Sequence, residues 1–234
     1  MTAGGQGRRV LVTGANRGLG AFIAAAFRDR GDLVVALNRS QGSTPGVHEI
    51  PCDLSQPAAL GAAVARGLDR LGGLDICVAN AAARRLGPIG HLAPSDWYES
   101  VAVNLNATFL LMTATLDALR ASRGHMIVIG SQAGEEVFEG GAAYCTTKAA
   151  LRTLVDVYRM ETRDQGVRST LVVPAAIRNR AADRSPTKLP PEDVAAVVVS
   201  IADFPASVLT TAIDVRPRSA EPGPVRGIAR LQVY

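Results

Sequence analysis

The chain has 234 residues, of which 47% are hydrophobic and 20% charged, with a formal net charge of +4. A chain of this length and apolar content predicts a single domain over residues 1–234, with a flexible leader at 1–8 and an irregular tail at 217–234. Its arginines are scattered and no apolar run approaches ~18 residues, which argues against nucleic-acid and membrane partners. A polar N-terminus and three cysteines without metal-ligand spacing favour a cytoplasmic protein that holds no metal.

The first predicted elements are a strand at residues 10–12, a glycine-rich turn at residues 13–20 (TGANRGLG) and an amphipathic helix. Gly14 allows a tight turn, Gly18 lets the backbone approach a pyrophosphate, and Gly20 permits close packing of the helix on the strand. The free N–H groups at the start of the helix attract an anion. This unit therefore predicts a site for the phosphates of a dinucleotide.

The second strand is predicted at residues 32–37 and is followed by Asn38 and Arg39. In dinucleotide-binding folds, an acid near this strand end holds the ribose 2′-OH of NAD, whereas an Arg accommodates the 2′-phosphate of NADP. No acid lies between the first residue of this strand and Glu49. Arg39 and Arg17 therefore form a candidate clamp for a 2′-phosphate, the alternative being two solvated surface side chains.

Two further strands are predicted at residues 47–50 and 74–78, and each is followed by a polar residue. Asp53, after the third strand, could bond the adenine amino group, or Asp53 or Ser55 could cap the helix predicted at residues 58–71. Asn80 comes directly after the fourth strand. Ligands of open α/β sheets bind at the carboxyl ends of the strands, which is where these residues are expected.

A long helix is predicted from Ser95 or Asp96 to about Leu119, and Asn104 lies in its inward, otherwise mostly apolar stripe. A polar amide in a buried stripe must be hydrogen-bonded. Asn104 could bond the backbone, or it could belong to a water-linked relay to Lys148.

Tyr144 and Lys148 lie four residues apart at the start of a predicted helix, so both side chains fall on one face. A phenol has an ordinary pKa of ~10, and a neighbouring ammonium favours the phenolate and pulls the pKa toward neutrality. Tyr144 could then donate or accept a substrate proton. Ser131 follows the strand predicted at residues 125–129, which delivers its hydroxyl to the same sheet edge. A solvated pair is the alternative, but Lys148 is one of only two lysines in the chain.

The sixth strand is predicted at residues 168–173, and the segment 175–189 after Pro174 is expected to form a short, open lid over a substrate pocket. A helix then begins near Pro190, and a last strand is predicted at residues 212–215. Charged residues on three loops are expected at the pocket rim, either as ordinary solvated charges or as a site for an acidic or strongly polar substrate: Arg84, Arg85, Glu135, Glu136, Glu139, Arg178 and Arg180.

These motifs together resemble the short-chain dehydrogenase/reductase family. The resemblance spans residues 10 to about 216 and rests on the glycine turn, Asn80, Asn104, Ser131 and the Tyr144-x-x-x-Lys148 motif. It implies an α/β, Rossmann-type doubly wound parallel sheet of about seven strands in the order 3-2-1-4-5-6-7, with helices on both faces. Alternating strands and amphipathic helices point to the same class.

The resemblance also implies an NADP(H)-dependent oxidoreductase that exchanges hydride with a small-molecule carbonyl or alcohol substrate, as a ketoreductase does. Ser131 would orient the substrate oxygen, Tyr144 would transfer its proton, and Lys148 would lower the pKa of Tyr144 and bond the nicotinamide ribose. The implied cofactor-binding residues are Gly14, Asn16, Arg17, Gly18, Leu19, Gly20, Asn38, Arg39, Asp53, Leu54, Asn80, Tyr144, Lys148, Pro174, Ile177 and Asn179.

The chain departs from the family pattern at three positions. Ala82 and Ala175 stand where relatives usually have glycine close to the cofactor, and Asn179 stands where a Thr often bonds the carboxamide. The first two departures favour the alternative of a catalytically idle NADP(H)-binding sensor or assembly protein. The helices predicted at 96–119 and 144–165 carry apolar residues on more than one face, and relatives commonly pair them, which predicts a homodimer or homotetramer.

Overall fold

The computed structural model describes residues 7–42, 44–179 and 182–219, in which strands and helices alternate along the chain. The strands are β1 (Arg9–Thr13), β2 (Leu33–Asn38), β3 (His48–Pro51), β4 (Ile76–Ala79), β5 (His125–Ile129), β6 (Arg168–Pro174) and β7 (Ala212–Val215). The α-helices are α1 (Gly18–Asp29), α2 (Pro57–Leu71), α3 (Pro94–Ser100), α4 (Ala107–Ser122), α5 (Ala142–Thr162) and α6 (Pro191–Ala202). Short helical turns occur at Val101–Asn106, Gln132–Gly134 and Arg163–Gln165.

The seven strands form one parallel sheet in the order β3-β2-β1-β4-β5-β6-β7. The predicted sheet class and strand order are thereby confirmed. The order reverses between β1 and β4, which leaves a crevice at the carboxyl ends of these two strands, where doubly wound sheets bind their ligands.

Both faces of the sheet are covered by helices, so its strands are apolar almost throughout. Side chains alternate across β1: Leu11 packs on one face in a cluster with α2, α4 and α5, while Val12 packs on the other face with α1 and α6. Phe27 of α1 is fully buried in this second cluster. The two helical layers therefore bury both faces of the sheet.

Strand boundaries differ from prediction by one or two residues. The second strand begins at Leu33 rather than Asp32, because the backbone N–H of Asp32 donates to the carbonyl oxygen of Phe27 in α1 (3.2 Å). The carboxylate of Asp32 accepts hydrogen bonds from the backbone N–H (2.9 Å) and guanidinium (2.9 Å) of Arg8. The predicted leader therefore includes one residue, Arg8, that is tied to the domain, while residues 1–6 lie outside the described residues. Most of the predicted tail, residues 220–234, lies outside them as well.

The long helix predicted to start at Ser95 or Asp96 is interrupted. It comprises α3, a π-helical turn at Val101–Asn106 and α4, and the π-helical turn includes Asn104. Such turns admit an extra residue into a helix and are common at functional sites. Among the described residues, the stretch Pro94–Ser122 is long and apolar enough to cross a membrane by length and composition alone. Its Leu111 and Leu119 are buried in the core, as in a core helix.

Candidate active site

The glycine turn is shaped by contacts that only glycine permits. Gly14 has a φ of +66°, and a Cβ there would lie 2.9 Å from the Cα of Ala81. A Cβ on Gly20 would lie 2.1 Å from the carbonyl oxygen of Gly14, so the helix could not approach the strand as closely. Gly18, with a φ of +56°, faces open space. The turn is therefore packed on the inside and accessible on the outside, where a phosphate would lie.

The first turn of α1 adds electrostatic complementarity to this shape. Arg17 is the N-cap residue of α1, and its side chain does not cap the helix. The unpaired N–H groups of a helix start carry partial positive charge and suit an anion. Leu19, in this first turn, is partly buried and packs against the core.

Asn80 fastens the turn to β4. Its Nδ2 donates to the carbonyl oxygens of Thr13 (3.0 Å) and Gly14 (3.1 Å), and the Thr13 hydroxyl accepts from the backbone N–H of Asn80 (3.0 Å) and Ala81 (3.1 Å). The ends of β1 and β4 are thereby held at a set separation. Thr13, whose role the sequence did not reveal, contributes two of these four hydrogen bonds through its hydroxyl.

Asn38 is a buried structural residue rather than a free ligand. Its Oδ1 accepts from the N–H of Ala15 (2.7 Å), and its Nδ2 donates to Oε2 of Glu49 (3.2 Å), which also accepts from the N–H of Gly42 (2.6 Å). The sequence placed no acid near the end of β2, but β3 lies beside β2 and brings Glu49 there. This carboxylate already accepts hydrogen bonds from two groups of the protein.

The predicted phosphate clamp is exposed. Arg17 forms no ion pair within the part of the chain that the structure describes, and Arg39 lies 3.5 Å from Glu99, with its side chain 69% exposed. Asn16 donates to the hydroxyl of Ser40 (2.8 Å), which links the glycine turn to the residues after β2. Two guanidinium groups are therefore available at the surface beside the crevice.

Asp53 does not cap α2, contrary to one of the two predictions. Its Oδ1 accepts from the N–H (3.0 Å) and hydroxyl (2.8 Å) of Ser55, bonds that hold the pKa of Asp53 below its usual range. The N-cap residue is Gln56, whose side chain makes no capping bond, and the helix begins at Pro57, one residue before the predicted start. Leu54 lines a small cavity with residues of β1 and β4, and so borders the crevice.

Ser131, Tyr144 and Lys148 meet at the carboxyl end of β5. The Ser131 hydroxyl accepts from the N–H of Ala133 (3.2 Å) and interacts with the Tyr144 side chain. Lys148 is buried, its Nζ donates to the carbonyl oxygen of Ile129 (2.8 Å), and it lies 5.8 Å from the centre of the Tyr144 ring. The three predicted residues are thus brought together at the predicted sheet edge.

The electrostatics of this cluster differ from expectation. Burial raises the pKa of Tyr144, while the hydrogen bond with Ser131 and the charge of Arg84 oppose the rise. Burial also lowers the pKa of Lys148 to about 8. The expectation that Lys148 lowers the pKa of Tyr144 is therefore corrected, because Lys148 bonds a backbone carbonyl and the loss of solvation of the phenolate outweighs the opposing effects. Tyr144 is held protonated.

Asn104 is fully buried and joins two parts of the site. Its Oδ1 accepts from the N–H of Ala83 (2.7 Å), and its Nδ2 donates to the carbonyl oxygen of Ala83 (3.0 Å) and to the hydroxyl of Thr147 (3.0 Å). The backbone bond that was one of the two alternatives is present. The additional bond to Thr147 reaches α5 next to Lys148, so Asn104 sets the loop after β4 against the helix that carries Tyr144.

The residues after β6 form the far side of the crevice. Pro174 is buried, Ile177 pairs with Leu189, and Asn179 is exposed. The N–H of Ala175 donates to the carbonyl oxygen of Val215 (2.9 Å), which ties this segment to β7. No helix occurs in the described part of the segment between β6 and α6.

Four of the seven predicted rim charges have partners in the structure, three of them in ion pairs. The partnerships are Arg85 with Glu99 (2.6 Å) and Asp96 (3.5 Å), Glu135 with Arg152, Glu136 with Arg216 (2.8 Å), and Arg178 with the carbonyl oxygen of Ser185 (3.0 Å). Arg84 instead lies over the Tyr144 ring, 5.9 Å from its centre. Glu139 is exposed, and Arg180 lies outside the described residues.

The described residues contain no cluster of three or more His, Cys, Asp or Glu side chains that could hold a metal ion. The three cysteines are all buried and free.

The short chain dehydrogenase family model matches residues 8–189, so this chain belongs to the short-chain dehydrogenase family of oxidoreductases. Two relatives are a D-threitol dehydrogenase of Mycolicibacterium smegmatis, 31% identical over 73% of this chain and 70% of that protein, and an uncharacterized oxidoreductase of Staphylococcus haemolyticus, 28% identical over 90% and 97%. A solved metagenomic short-chain oxidoreductase in complex with NADP is 32% identical with a TM-score of 0.81, covering 92% of this chain and 99% of that one. A short-chain dehydrogenase of Burkholderia cenocepacia, solved in complex with NADP, is 26% identical with a TM-score of 0.82, covering 91% and 97%.

Proposed function

We propose that this protein is an NADP(H)-dependent oxidoreductase that exchanges hydride between the nicotinamide and the carbonyl or alcohol carbon of a polar small molecule, working as a ketoreductase. The observation that carries the proposal is the meeting of Ser131, Tyr144 and Lys148 at the carboxyl end of β5, near the crevice between β1 and β4. The relatives solved with NADP support the choice of cofactor.

The crevice fits a dinucleotide. Gly18 leaves open space at an uncapped helix start, and this combination suits a pyrophosphate. Arg17 and Arg39 are exposed beside it and would hold a 2′-phosphate by charge-assisted bonds. The carboxylate of Glu49, near the end of β2, already accepts hydrogen bonds from Asn38 and Gly42. When bound, NADPH supplies the hydride.

The protein supplies the proton and the orientation. A phenol kept protonated by burial is suited to donate, so Tyr144 gives its proton to the carbonyl oxygen during reduction and takes it back in the reverse direction. The Ser131 hydroxyl, already beside Tyr144, donates to the same substrate oxygen and holds it in place. Lys148 donates one of its three ammonium N–H groups to Ile129, and the others remain available to ribose hydroxyls.

Proton return to Tyr144 would run through Lys148 and water toward Asn104. Asn104 reaches the neighbourhood of Lys148 through Thr147, and it holds the loop after β4 at the same time. We also propose a homodimer or homotetramer through α4 and α5, because the outward residues Phe109, Val157 and Met160 are exposed large hydrophobics.

The test is NADPH oxidation with a panel of ketones and aldehydes, using Tyr144→Phe as the variant. This change removes only the hydroxyl, so turnover should fall at least about a hundredfold while NADPH binding persists. Tyr98→Phe, at a tyrosine on α3 that is 69% exposed, is the matched control and should behave as the parent. Retention of most of the rate by Tyr144→Phe would rule out the assigned proton donor, and a parent that binds NADPH but never oxidises it would support the idle alternative.

A further inference from the structure

Arg84 differs from the other arginines at the mouth of the crevice. Those at 85, 152 and 216 are paired with carboxylates, and Arg178 bonds a carbonyl oxygen. Arg84 is exposed and forms no ion pair with any residue in the described ranges, and its guanidinium lies 5.9 Å from the centre of the Tyr144 ring. A positive charge without a counter-ion therefore stands next to the proposed proton donor.

The backbone that carries Arg84 is held from both sides. Ala83, the residue before it, is bonded through both its N–H (2.7 Å) and its carbonyl oxygen (3.0 Å) to the fully buried amide of Asn104. Three residues after Arg84, the N–H of Gly87 donates to the carbonyl oxygen of Gly140 (2.9 Å), in the loop before α5. The fold therefore sets the position of the Arg84 backbone relative to Tyr144.

We propose that Arg84 binds a carboxylate of the substrate, so that the substrate is an oxo acid in the reducing direction and the corresponding hydroxy acid in the oxidising direction. This inference rests on the proposed function. A guanidinium pairs with a carboxylate through two parallel charge-assisted bonds, which gives orientation as well as affinity. In reduction, hydride adds to the carbonyl carbon and the Tyr144 proton adds to its oxygen, giving a hydroxy acid and NADP⁺ while the carboxylate remains on Arg84.

A second effect of Arg84 must be separated from this one. Its charge also acts on Tyr144 itself, where it opposes the rise of the pKa caused by burial. That effect would be the same for every substrate, charged or neutral. Only a carboxylate contact distinguishes an acid from its ester, so the comparison of acid and ester isolates the binding role.

The experiment uses the full chain with NADPH and three oxo acids, pyruvate, acetoacetate and levulinate, each paired with its methyl ester. These acids carry none, one and two carbon atoms between the two functional groups. Steady-state NADPH oxidation is measured for the parent, Arg84→Gln and Arg85→Gln. Arg85 is the matched control, because it is the adjacent exposed arginine and is neutralised by Glu99 and Asp96.

For the best acid, Arg84→Gln should raise KM about tenfold or more, because the charge-assisted bonds between guanidinium and carboxylate are lost. The KM of the ester should stay within about twofold, because the ester carries no carboxylate charge. Arg85→Gln should leave both substrates within about twofold. Binding is measured independently of turnover, as the rise that the acid causes in the thermal midpoint of the NADP⁺ complex. This rise should appear in the parent and Arg85→Gln and disappear in Arg84→Gln.

Equal losses for acid and ester in Arg84→Gln would overturn the inference and leave Arg84 acting on Tyr144 alone. Equal loss in Arg84→Gln and Arg85→Gln would also overturn it, in favour of a diffuse field. Reduction of the esters but of none of the acids contradicts the inference and leaves the proposed function standing. If no compound is reduced, the proposed function fails, and the thermal shift still decides whether Arg84 binds the acid.

Discussion

We expect the protein to lose stability in acid because of His125, and the surroundings of this residue determine the size of the loss. It lies at the amino end of β5, the sheet edge opposite the crevice, and is 2% exposed. Its Nε2 is bonded to the hydroxyl of Thr170 (2.8 Å), which in turn donates to the carbonyl oxygen of Thr210 (3.0 Å). This arrangement places the ring proton on Nε2 and leaves Nδ1 buried without a hydrogen-bond partner among the described residues.

Protonation of Nδ1 would create a buried charge with an unpaired N–H, close to the positive charge of Arg168. Burial, with a smaller contribution from Arg168, lowers the pKa of His125 from 6.5 to about 3. Because the unfolded chain protonates first as the pH falls, stability from this residue is complete above pH ~6.5 and decreases between ~6.5 and ~3. At pH 4.5, two units below the unfolded pKa, the loss is about 2.7 kcal/mol.

The assay is urea denaturation of the parent and His125→Gln at pH 7.5 and pH 4.5, at one protein concentration. Other groups titrate equally in both proteins, so the difference in unfolding free energy between them isolates His125. The parent's advantage over His125→Gln should shrink by about 2.5 kcal/mol at the lower pH. His91→Gln, at an exposed histidine, should show no such change. A difference between parent and His125→Gln that stays constant between the two pH values would refute the reasoning.

Three further predictions concern the cofactor, the site and the assembly. Arg39→Ala should weaken the binding of NADPH and leave the binding of NADH unchanged. Glu99→Gln should tighten NADPH binding up to about fivefold, because Arg39 is freed from its exposed ion pair. Equal affinity of the parent for both nucleotides in a fluorescence titration would contradict this prediction. Asn104→Ala should lower the unfolding free energy by about 2–4 kcal/mol in urea denaturation, because the part-buried backbone of Ala83 and the buried hydroxyl of Thr147 lose their hydrogen bonds. The exposed neighbour variant Asn106→Ala should cost far less. The double variant Phe109→Glu, Met160→Glu should have a lower mass than the parent in light scattering at micromolar concentration, whereas Phe22→Glu on α1 should not. A monomeric parent would contradict the proposed assembly.

Much of the fold and the core of the site could be read along the chain, because their determinants are local. A glycine turn between strand and helix depends on backbone conformation within eight residues, and Gly14 and Gly18 do have positive φ. The four-residue spacing of Tyr144 and Lys148 follows from helix geometry, and both lie in α5. Apolar runs separated by amphipathic helices sufficed to indicate a parallel sheet covered on both faces, because periodicity reports burial.

Only the tertiary structure determines which polar groups form hydrogen bonds with each other. Glu49 reaches Asn38 because β3 lies beside β2, Asn104 reaches Ala83 and Thr147 through a π-helical turn, and Lys148 bonds Ile129 rather than Tyr144. These partners are 11 to 43 residues apart in the chain. Residue type limits how many bonds each side chain can make, but the choice of partner and the direction of each pKa shift depend on burial and on neighbours in space. For that reason the sequence singles out Tyr144 and Lys148, whereas the direction of the shift in the pKa of Tyr144 depends on the burial that folding creates.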